Sequence, residues 1–363
     1  MLVRTPFGEQ VRSMTSRVFV GAAPVSARTP ADQVGGLYRS ENGGDWDTLT
    51  NGLPVAPWVR AVAIHPLQTD VVFAGTQDGP YRSTDGGTNW QKCAFPVEGA
   101  AVWSIVFDPT DPTRLYAGTE PAQVFRSSDS GLTWEVLPGA VQPERLDMGF
   151  PTRLIDLAVD PNRPSTIFAG VEVGGVMRSD DAGETWVDCS ASLVELADQP
   201  RLRSRIGSET EIEGMLDTHA LAMSPGQPGV TFLAVRMGVF RTKDGGQSWH
   251  DINIGRFSPL TYCRDVIASA AEPRVMYACL SDEALGKAGS LWRSDDDGET
   301  WGRFDAFTCT STLMQVAAHR QDPKQVWCAT RHGQVFGTLD GGETWLERPL
   351  PSGGRDVYAI ACG

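Results

Sequence analysis

The 363-residue chain lacks several features that mark common protein classes. No apolar run approaches the roughly 18 residues of a membrane-spanning helix, and the N-terminal residues lack the apolar core of a signal peptide. The seven cysteines are scattered, form no CxxC pair and are odd in number, which argues against a disulfide framework. We therefore expect no membrane association, and we expect the protein to reside in a reducing cytoplasm.

Basic residues are also in short supply. The chain has 31 Lys and Arg against 45 Asp and Glu, which gives a formal net charge of −14. Such a chain repels the phosphates of nucleic acids and of anionic lipid surfaces, so neither is expected as a partner. The hydrophobic content of 41% nevertheless suffices for a folded core, which excludes global disorder.

What the sequence does contain is one short phrase that recurs seven times. Its copies are SENGGDW at Ser40–Trp46, STDGGTNW at Ser83–Trp90, SSDSGLTW at Ser127–Trp134, SDDAGETW at Ser179–Trp186, TKDGGQSW at Thr242–Trp249, SDDDGETW at Ser294–Trp301 and TLDGGETW at Thr338–Trp345. The tryptophans that end the copies are 44 to 63 residues apart, and each unit contains four short segments typical of β-strands. Periods of this length with four strands each indicate a β-propeller.

The phrase, of the form S-x-D-x-G-x-T-W, resembles the Asp-box or BNR repeat. That repeat is found in sialidases, sortilin-type receptors, xyloglucanases and photosystem II assembly propellers, so the resemblance implies a propeller fold without naming a function. The sialidase members would imply an Arg-Ile-Pro motif and six blades. This chain lacks the motif and has seven repeats, so a standard sialidase is not expected.

We predict an all-β fold, namely a single seven-bladed β-propeller with Asp-box turns over residues 1–363. The N-terminal SRVFVGAA and the C-terminal RDVYAIACG both have strand patterns, and together they are expected to close the first blade. The predicted blades are 16–50 plus 355–363 for blade 1, 58–95 for blade 2, 101–138 for blade 3, 153–190 for blade 4, 217–254 for blade 5, 262–305 for blade 6 and 312–350 for blade 7, with an insert at 187–217.

Loop lengths distinguish the two ends of the predicted propeller. The box turns and the loops between first and second strands are nearly constant in length and lie at one end, which we call the bottom. The loops that lead from one blade to the next lie at the other end, the top, and contain the longest inserts, Val136–Thr152 and Val187–Asp217. A uniform scaffold with one elaborated end predicts that the site lies at the top.

Ionisable and aromatic side chains gather where the strands reach the top of the central channel. Glu120 and Glu172 lie at matching positions of neighbouring blades, and two nearby carboxyls can divide into an acid and a base. Arginines can clamp an anionic group, and histidines can act as bases near neutral pH. The predicted catalytic residues are Glu120, Glu172, Asp156, His219, Tyr262 and His332, and the predicted substrate-binding residues are Arg153, Arg236, Arg264, Arg331, Trp58, Trp103, Asp217 and Gln315.

Some of these side chains are expected only to line a wet channel, and the box aspartates are expected to be purely structural. No metal-ligand spacing motif is present, so no cofactor is predicted, and a metal bound by His219, His332 and Glu172 is the alternative.

The pattern favours a glycoside-hydrolase-like or lyase-like enzyme at the top mouth of the channel. It would apply acid/base chemistry to a small polar substrate that is anionic or sugar-like, so the expected partner is a small polar or carbohydrate-like ligand. The alternative is a non-catalytic propeller scaffold that binds a protein or peptide on the top face. The oligomeric state is left open.

Overall fold

The described residues form seven four-stranded antiparallel sheets. In six sheets the strands are neighbours in the order in which they occur along the chain, and in the seventh the C-terminal strand pairs with the first strand. The computed structural model describes residues 16–24, 35–139, 146, 148–351 and 354–363. The first strands of the blades surround a central channel. The prediction of an all-β seven-bladed propeller is confirmed.

Each blade consists of four strands, the first of which faces the channel. From the channel outward they are β28(Val357–Cys362), β1(Arg17–Ala22), β2(Gly36–Glu41) and β3(Trp46–Thr48) in blade 1; β4(Ala61–Ile64), β5(Val72–Thr76), β6(Gly79–Ser83) and β7(Gln91–Lys92) in blade 2; β8(Ala101–Phe107), β9(Leu115–Glu120), β10(Val124–Ser127) and β11(Glu135–Leu137) in blade 3; β12(Leu154–Val159), β13(Ile167–Val171), β14(Gly175–Ser179) and β15(Val187–Asp188) in blade 4; β16(Thr218–Met223), β17(Thr231–Val235), β18(Gly238–Thr242) and β19(His250–Asp251) in blade 5; β20(Tyr262–Ala268), β21(Met276–Ser281), β22(Gly289–Ser294) and β23(Gly302–Arg303) in blade 6; and β24(Leu313–Ala318), β25(Val326–Thr330), β26(Val335–Thr338) and β27(Leu346–Glu347) in blade 7.

The box closes the turn between the third and fourth strands of a blade. In blade 4, Asp181 Oδ1 accepts the backbone N–H of Thr185 at 2.9 Å, and Ser179 Oγ accepts the backbone N–H of Gly183 at 2.8 Å. The hydrogen bonds from Thr185 and Ser179 lower the pKa of Asp181 to about 2. A carboxylate that is fully engaged by its own turn has a structural role.

The hydrophobic core lies between neighbouring blades rather than within one blade. Trp134 of the blade 3 box belongs to one cluster with Phe73 of blade 2 and Phe125 of blade 3. Gly131 of the same box has φ +80, and a Cβ there would lie 2.3 Å from Phe73 Cε1. The turn therefore needs glycine both for its left-handed backbone and for the close approach of the preceding blade.

The two ends of the described chain meet in blade 1, as predicted. Strand β28 pairs with β1 in antiparallel register, with Val18 opposite Cys362 and Val20 opposite Ile360. Backbone hydrogen bonds of 2.8 and 3.0 Å join Arg17 and Gly363. The ring therefore closes through hydrogen bonds within a sheet, which leaves no open edge at the junction.

The insert at 187–217 contains the only α-helices of the described residues, α1 (Ala191–Leu196) and α2 (Glu213–Leu216), and a 3₁₀ turn at Pro200–Leu202. A second 3₁₀ turn lies at Ile254–Arg256. Leu193, Met215 and Leu216 are fully buried against blades 4 and 5. Within the described part of the chain, no helix has the length and apolarity needed to cross a membrane. Residues 140–145 and 147 of the other long insert lie outside the described residues.

Candidate functional site

A cavity of about 130 Å³ lies inside the channel at its top end; we call it the channel cavity. Its walls come from the top ends of the first strands of the blades. The lining includes the predicted site residues Trp103, Asp156, His219, Arg264 and Gln315, together with Arg60, Ser104, Asp265 and Tyr358.

β-Bulges explain why these side chains face the channel together. The first strands shift register by one residue between Val102 and Ser104, and likewise between Cys263 and Asp265. A bulge leaves the extra residue unpaired and turns it toward the same side as its neighbour. As a result, Trp103 and Ser104 both line the cavity, as do Arg264 and Asp265.

An ion bridge crosses the top mouth between blades 3 and 4. Arg153 Nε donates to Glu120 Oε2 at 3.0 Å, and Arg153 Nη1 donates to Glu172 Oε2 at 2.7 Å. All three side chains are between 19% and 24% exposed, so the bridge is half-buried and still reaches solvent. The two glutamates of the predicted acid/base pair therefore share one guanidinium group.

Aromatic rings hold the arginine of this bridge. The Arg153 guanidinium carbon lies 4.9 Å from the ring centre of Trp103 and 4.7 Å from that of Phe150. Trp103 Nε1 also donates to Glu120 Oε2 at 3.0 Å. Trp103 thus fixes both the cation and one carboxylate, which gives the bridge a rigid geometry.

Burial and neighbouring charges together set the pKa of Glu172. Burial raises the pKa of Glu172, although the neighbouring Arg153 and Arg264 oppose the rise. Asp217 lies close enough to raise it further. Glu172 therefore retains its proton to a higher pH than an ordinary glutamate does.

A second group lies on blades 5 and 6. His219 Nδ1 is 2.7 Å from the carbonyl oxygen of Cys263, which can only accept, so Nδ1 carries a proton. His219 Nε2 lies 3.2 Å from Asp217 Oδ2, which also accepts Arg236 Nε at 3.3 Å. Tyr262 Oη lies 3.5 Å from the same Nε2. His219, Asp217 and Tyr262 are at most 6% exposed, so this group forms a fixed wall beneath the mouth.

Burial and neighbouring charges act in opposite directions on the pKa values of His219 and Asp217. Burial lowers the pKa of His219, against the opposing effect of Asp217. Burial alone would raise the pKa of Asp217, but His219 and Arg236 hold it below the ordinary value. Burial also raises the pKa of the Tyr262 hydroxyl to about 12, so this group stays protonated at neutral pH.

Asp156 joins two blades through its carboxylate. Its Oδ2 accepts the backbone N–H of Leu221 in blade 5 at 2.7 Å, and its Oδ1 accepts that of Leu157 at 2.9 Å. Asp265 Oδ2 makes the equivalent bond to the N–H of Val316 in blade 7, at 2.8 Å. Burial raises the pKa of both carboxyls to about 7. No described contact places Asp156 with the two glutamates.

The remaining predicted residues are dispersed around the rim. Arg331 donates to the carbonyl oxygen of Ala284 at 3.0 Å and to Asp356 Oδ1 at 3.4 Å, on the blade 7 side. His332 is exposed, and Trp58 is half-buried beside Arg60. Neither contacts the ion bridge among the described contacts. Over the described residues, no group of three or more His, Cys, Asp or Glu is arranged to hold a metal ion.

Four polar residues of the lining were not among the predicted site residues, namely Arg60, Ser104, Asp265 and Tyr358. Arg60 lies in the same position of its blade as Trp103 and Arg264, and the other three match Asp156. The alignment of first strands was therefore the signal that could have identified them.

The family model described as BNR/Asp-box repeat matches residues 81–92, which contain the box of blade 2. A xyloglucanase of Acetivibrio thermocellus is 24% identical over 341 residues, which is 83% of this chain and 39% of the relative. The chain thus spans about two fifths of the length of that relative.

Two solved structures are similar in fold. The GH74 xyloglucanase from Xanthomonas campestris has a TM-score of 0.63 at 21% identity, covering 84% of this chain and 46% of that chain. The structure of YCF48 bound to D1 peptide has a TM-score of 0.53 at 17% identity, covering 82% of this chain and 83% of that chain. Together with the seven boxes, these findings show a β-propeller of the BNR/Asp-box type. They do not identify one particular family of such propellers.

Proposed function

We propose that the chain is a glycoside-hydrolase-like propeller that binds and cleaves a sugar-like ligand at the top mouth. The ion bridge Glu120–Arg153–Glu172 carries this proposal, because it places two carboxylates on one guanidinium at a site open to solvent. The similarity to xyloglucanases supports a carbohydrate as the ligand class.

The two glutamates take different roles in this proposal. Glu172 acts as the proton donor to the leaving oxygen, because burial raises its pKa. Glu120 acts as the base or nucleophile, and Arg153 holds both carboxylates in position until the ligand replaces its contacts. The buried wall beneath the mouth, formed by His219, Asp217 and Tyr262, supports the site from below.

Cleavage assays with a panel of neutral and uronate-containing oligosaccharides test this function. We expect new reducing ends with the wild-type protein, and we expect Glu172→Gln and Glu120→Gln each to lower kcat by about 10²–10⁴-fold. Glu135→Gln, an exposed glutamate of β11 that pairs with Arg126, is the matched control and should retain full activity. An unsaturated product in place of a new hydroxyl would assign the same pair to a lyase.

Turnover by the two glutamine variants at the rate of the control would remove the glutamates from the mechanism. Absence of cleavage across the panel would favour the alternative function, a scaffold that binds a peptide on the top face. The similarity to YCF48 supports that alternative, since this chain covers 83% of a propeller that is bound to a peptide. The buried apolar residues of the insert do not support it, because they face blades 4 and 5 and not solvent.

Peptide binding to the top face is tested separately by fluorescence anisotropy with labelled acidic and basic peptides. Under the scaffold alternative, binding is lost in an Arg153→Gln variant and retained in an Arg320→Gln variant at the bottom.

The reducing compartment predicted from the cysteine pattern stays a prediction, and the seven cysteines are free thiols in the structure.

A further inference from the structure

We propose that the channel cavity binds an oxyanion carried by the ligand, between Arg60 and Arg264. The inference rests on the proposed function for the sugar-like nature of the ligand, and it adds that this ligand is acidic, with a carboxylate or sulfate group. The group would enter from the top mouth, since Trp103 both lines the cavity and bonds to Glu120 of the ion bridge.

Arg264 is the main observation. It is 8% exposed, it lines the cavity, and its Nε atom has no hydrogen-bond partner. Among the described contacts, it has no hydrogen bond or ion pair at all, although Asp217 and Glu172 lie close enough to act on it electrostatically. Nearby carboxylates therefore compensate part of its charge, but a guanidinium that is nine-tenths buried with an unsatisfied N–H donor points to a ligand that accepts a hydrogen bond.

Arg60 is the second observation, on the opposite side of the seven-bladed ring. It is also 8% exposed, and its Nε atom also has no partner. Its one described hydrogen bond is long, 3.4 Å from Nη2 to the carbonyl oxygen of Pro24. The guanidinium carbon lies 4.4 Å from the ring centre of Trp103, which holds the group flat while leaving its N–H donors free.

A third unsatisfied group belongs to a residue of the same lining. Ser104 Oγ is buried without a hydrogen-bond partner and lines the cavity. Donors from blades 2, 3 and 6 are thus unsatisfied around one cavity, a pattern that suits the several acceptor oxygens of a carboxylate or sulfate.

The charge in the cavity favours an anion in spite of two acidic neighbours. Asp156 and Asp265 also line it, but their oxygens accept backbone N–H groups, and burial raises the pKa of both to about 7. They are therefore partly protonated near neutral pH, whereas Arg60 and Arg264 are charged. His219 and Tyr358 also line the cavity, and neither is a carboxylate; Asp217 and Glu172, which act on Arg264, are not part of the lining.

The volume of the cavity limits how much of the ligand can enter it. Its volume of about 130 Å³ exceeds the roughly 30 Å³ of one water molecule and is below the about 300 Å³ of pockets that enclose a whole small ligand. The cavity therefore fits a charged substituent, while the rest of the ligand stays at the mouth beside Trp103 and Arg153.

Calorimetric titration of the full chain tests the inference with three probes at constant ionic strength: D-glucuronate, D-glucose and sodium sulfate. We expect glucuronate and sulfate to bind and to raise Tm, and glucose to do neither. Arg264→Gln and Arg60→Gln should each weaken glucuronate binding at least about tenfold, as expected for the loss of a charge-assisted contact. Arg320→Gln, an exposed arginine at the bottom mouth, is the matched control and should bind like the wild type.

Stability separates a ligand role from a structural one. Arg264 has no described hydrogen bond, but its charge acts favourably on Asp217 and Glu172, so Arg264→Gln should fold cooperatively with a Tm no higher than that of the wild type. Saturating glucuronate should raise the Tm of the wild type more than that of this variant; an equal rise in both would contradict the inference. Should the glutamine variant fail to fold, Arg264→Lys keeps the charge without the planar fork, and it should bind glucuronate more weakly than the wild type.

Two binding results would overturn the inference: equal affinity for glucose and glucuronate, or sulfate binding without glucuronate binding. The titration is independent of turnover, so it also distinguishes this inference from the proposed function. Glucuronate binding by the inactive Glu172→Gln variant supports the cavity site. A wild-type protein that binds glucuronate but cleaves none of the oligosaccharides counts against the enzymatic proposal alone.

Discussion

At the scale of single residues, Arg153 is the side chain on which the top mouth depends. It neutralises two carboxylates from neighbouring blades, and two aromatic rings hold it in place. The carboxylate of Glu172 has no other described hydrogen-bond partner, so Arg153 is the main group that stabilises its charge, with a further contribution from Arg264. The bridge is therefore both a functional and a structural element.

Replacing this arginine should expose that dependence. We expect Arg153→Gln to lower the free energy of unfolding by about 1–3 kcal/mol at neutral pH, because a half-buried Glu172 carboxylate loses its partner. The double variant Arg153→Gln/Glu172→Gln should recover much of this loss. Denaturant unfolding measures both. Arg126→Gln is the control: it pairs with Glu135 and Glu184, which are more than half exposed, so it should cost under about 1 kcal/mol. An equal cost for both arginines would contradict the argument.

The alignment of first strands predicted which residues reach the channel, and it did so because the Asp box fixes the register of every blade. Trp103, Asp156, His219, Arg264 and Gln315 all line the cavity. The partners of these residues could not be predicted in the same way. Whether Arg153 bonds to one glutamate, both or neither depends on side-chain rotamers and on the separation of blades 3 and 4. The repeat sequence determines neither of these.

At the scale of strands, the first strands of neighbouring blades are joined by side chains as well as by packing. Asp156 and Asp265 each accept a backbone N–H from the first strand of the following blade. Asp156 is the residue whose predicted role and observed contacts differ most in kind. The sequence pattern predicts a catalytic group, whereas its carboxylate is occupied in joining blades 4 and 5.

The raised pKa of Asp265 predicts a characteristic pH dependence of stability. Its pKa is about 7 in the folded protein and about 3.9 in an unfolded chain, so the folded state binds more protons between these values. Stability from this group is therefore full below about pH 4 and is lost as the pH rises to about 7. We expect Asp265→Asn to be less stable at pH 5, since it loses an acceptor, but to lose less stability than the wild type between pH 5 and pH 8.

Chemical denaturation at several pH values measures this difference in slope. The comparison with the wild type removes the contributions of His65, His219 and His319, whose lowered pKa values act in the opposite direction. Asp111→Asn is a suitable control, because Asp111 is only partly buried and its pKa lies below its ordinary value; this variant should keep the wild-type slope in this range. A slope unchanged by Asp265→Asn would show that the carboxyl titrates at its ordinary pKa.

At the scale of the whole molecule, closure of the ring determines whether seven blades behave as one body. Each hydrophobic cluster draws on two adjacent blades, so every blade is stabilised by both neighbours only if the ring is closed. Strand β28 completes blade 1 and buries Val357, Ile360 and Cys362 against β1 and blade 7. All seven blades contribute residues to the lining of the channel cavity, so its geometry also depends on closure.

Removing β28 should therefore destabilise sites far from blade 1. We expect a chain that ends at residue 354 to lose its cooperative thermal transition and to aggregate, because β1 then presents an open edge and the Val18–Val20 face loses its cover. Addition of the peptide RDVYAIACG in trans should restore a single transition, and the same peptide with Ile360→Asp should not. Calorimetry and light scattering follow both effects. A truncated chain that melts like the wild type would show that the blades are stable as independent pairs, and that the channel geometry does not require the closed ring.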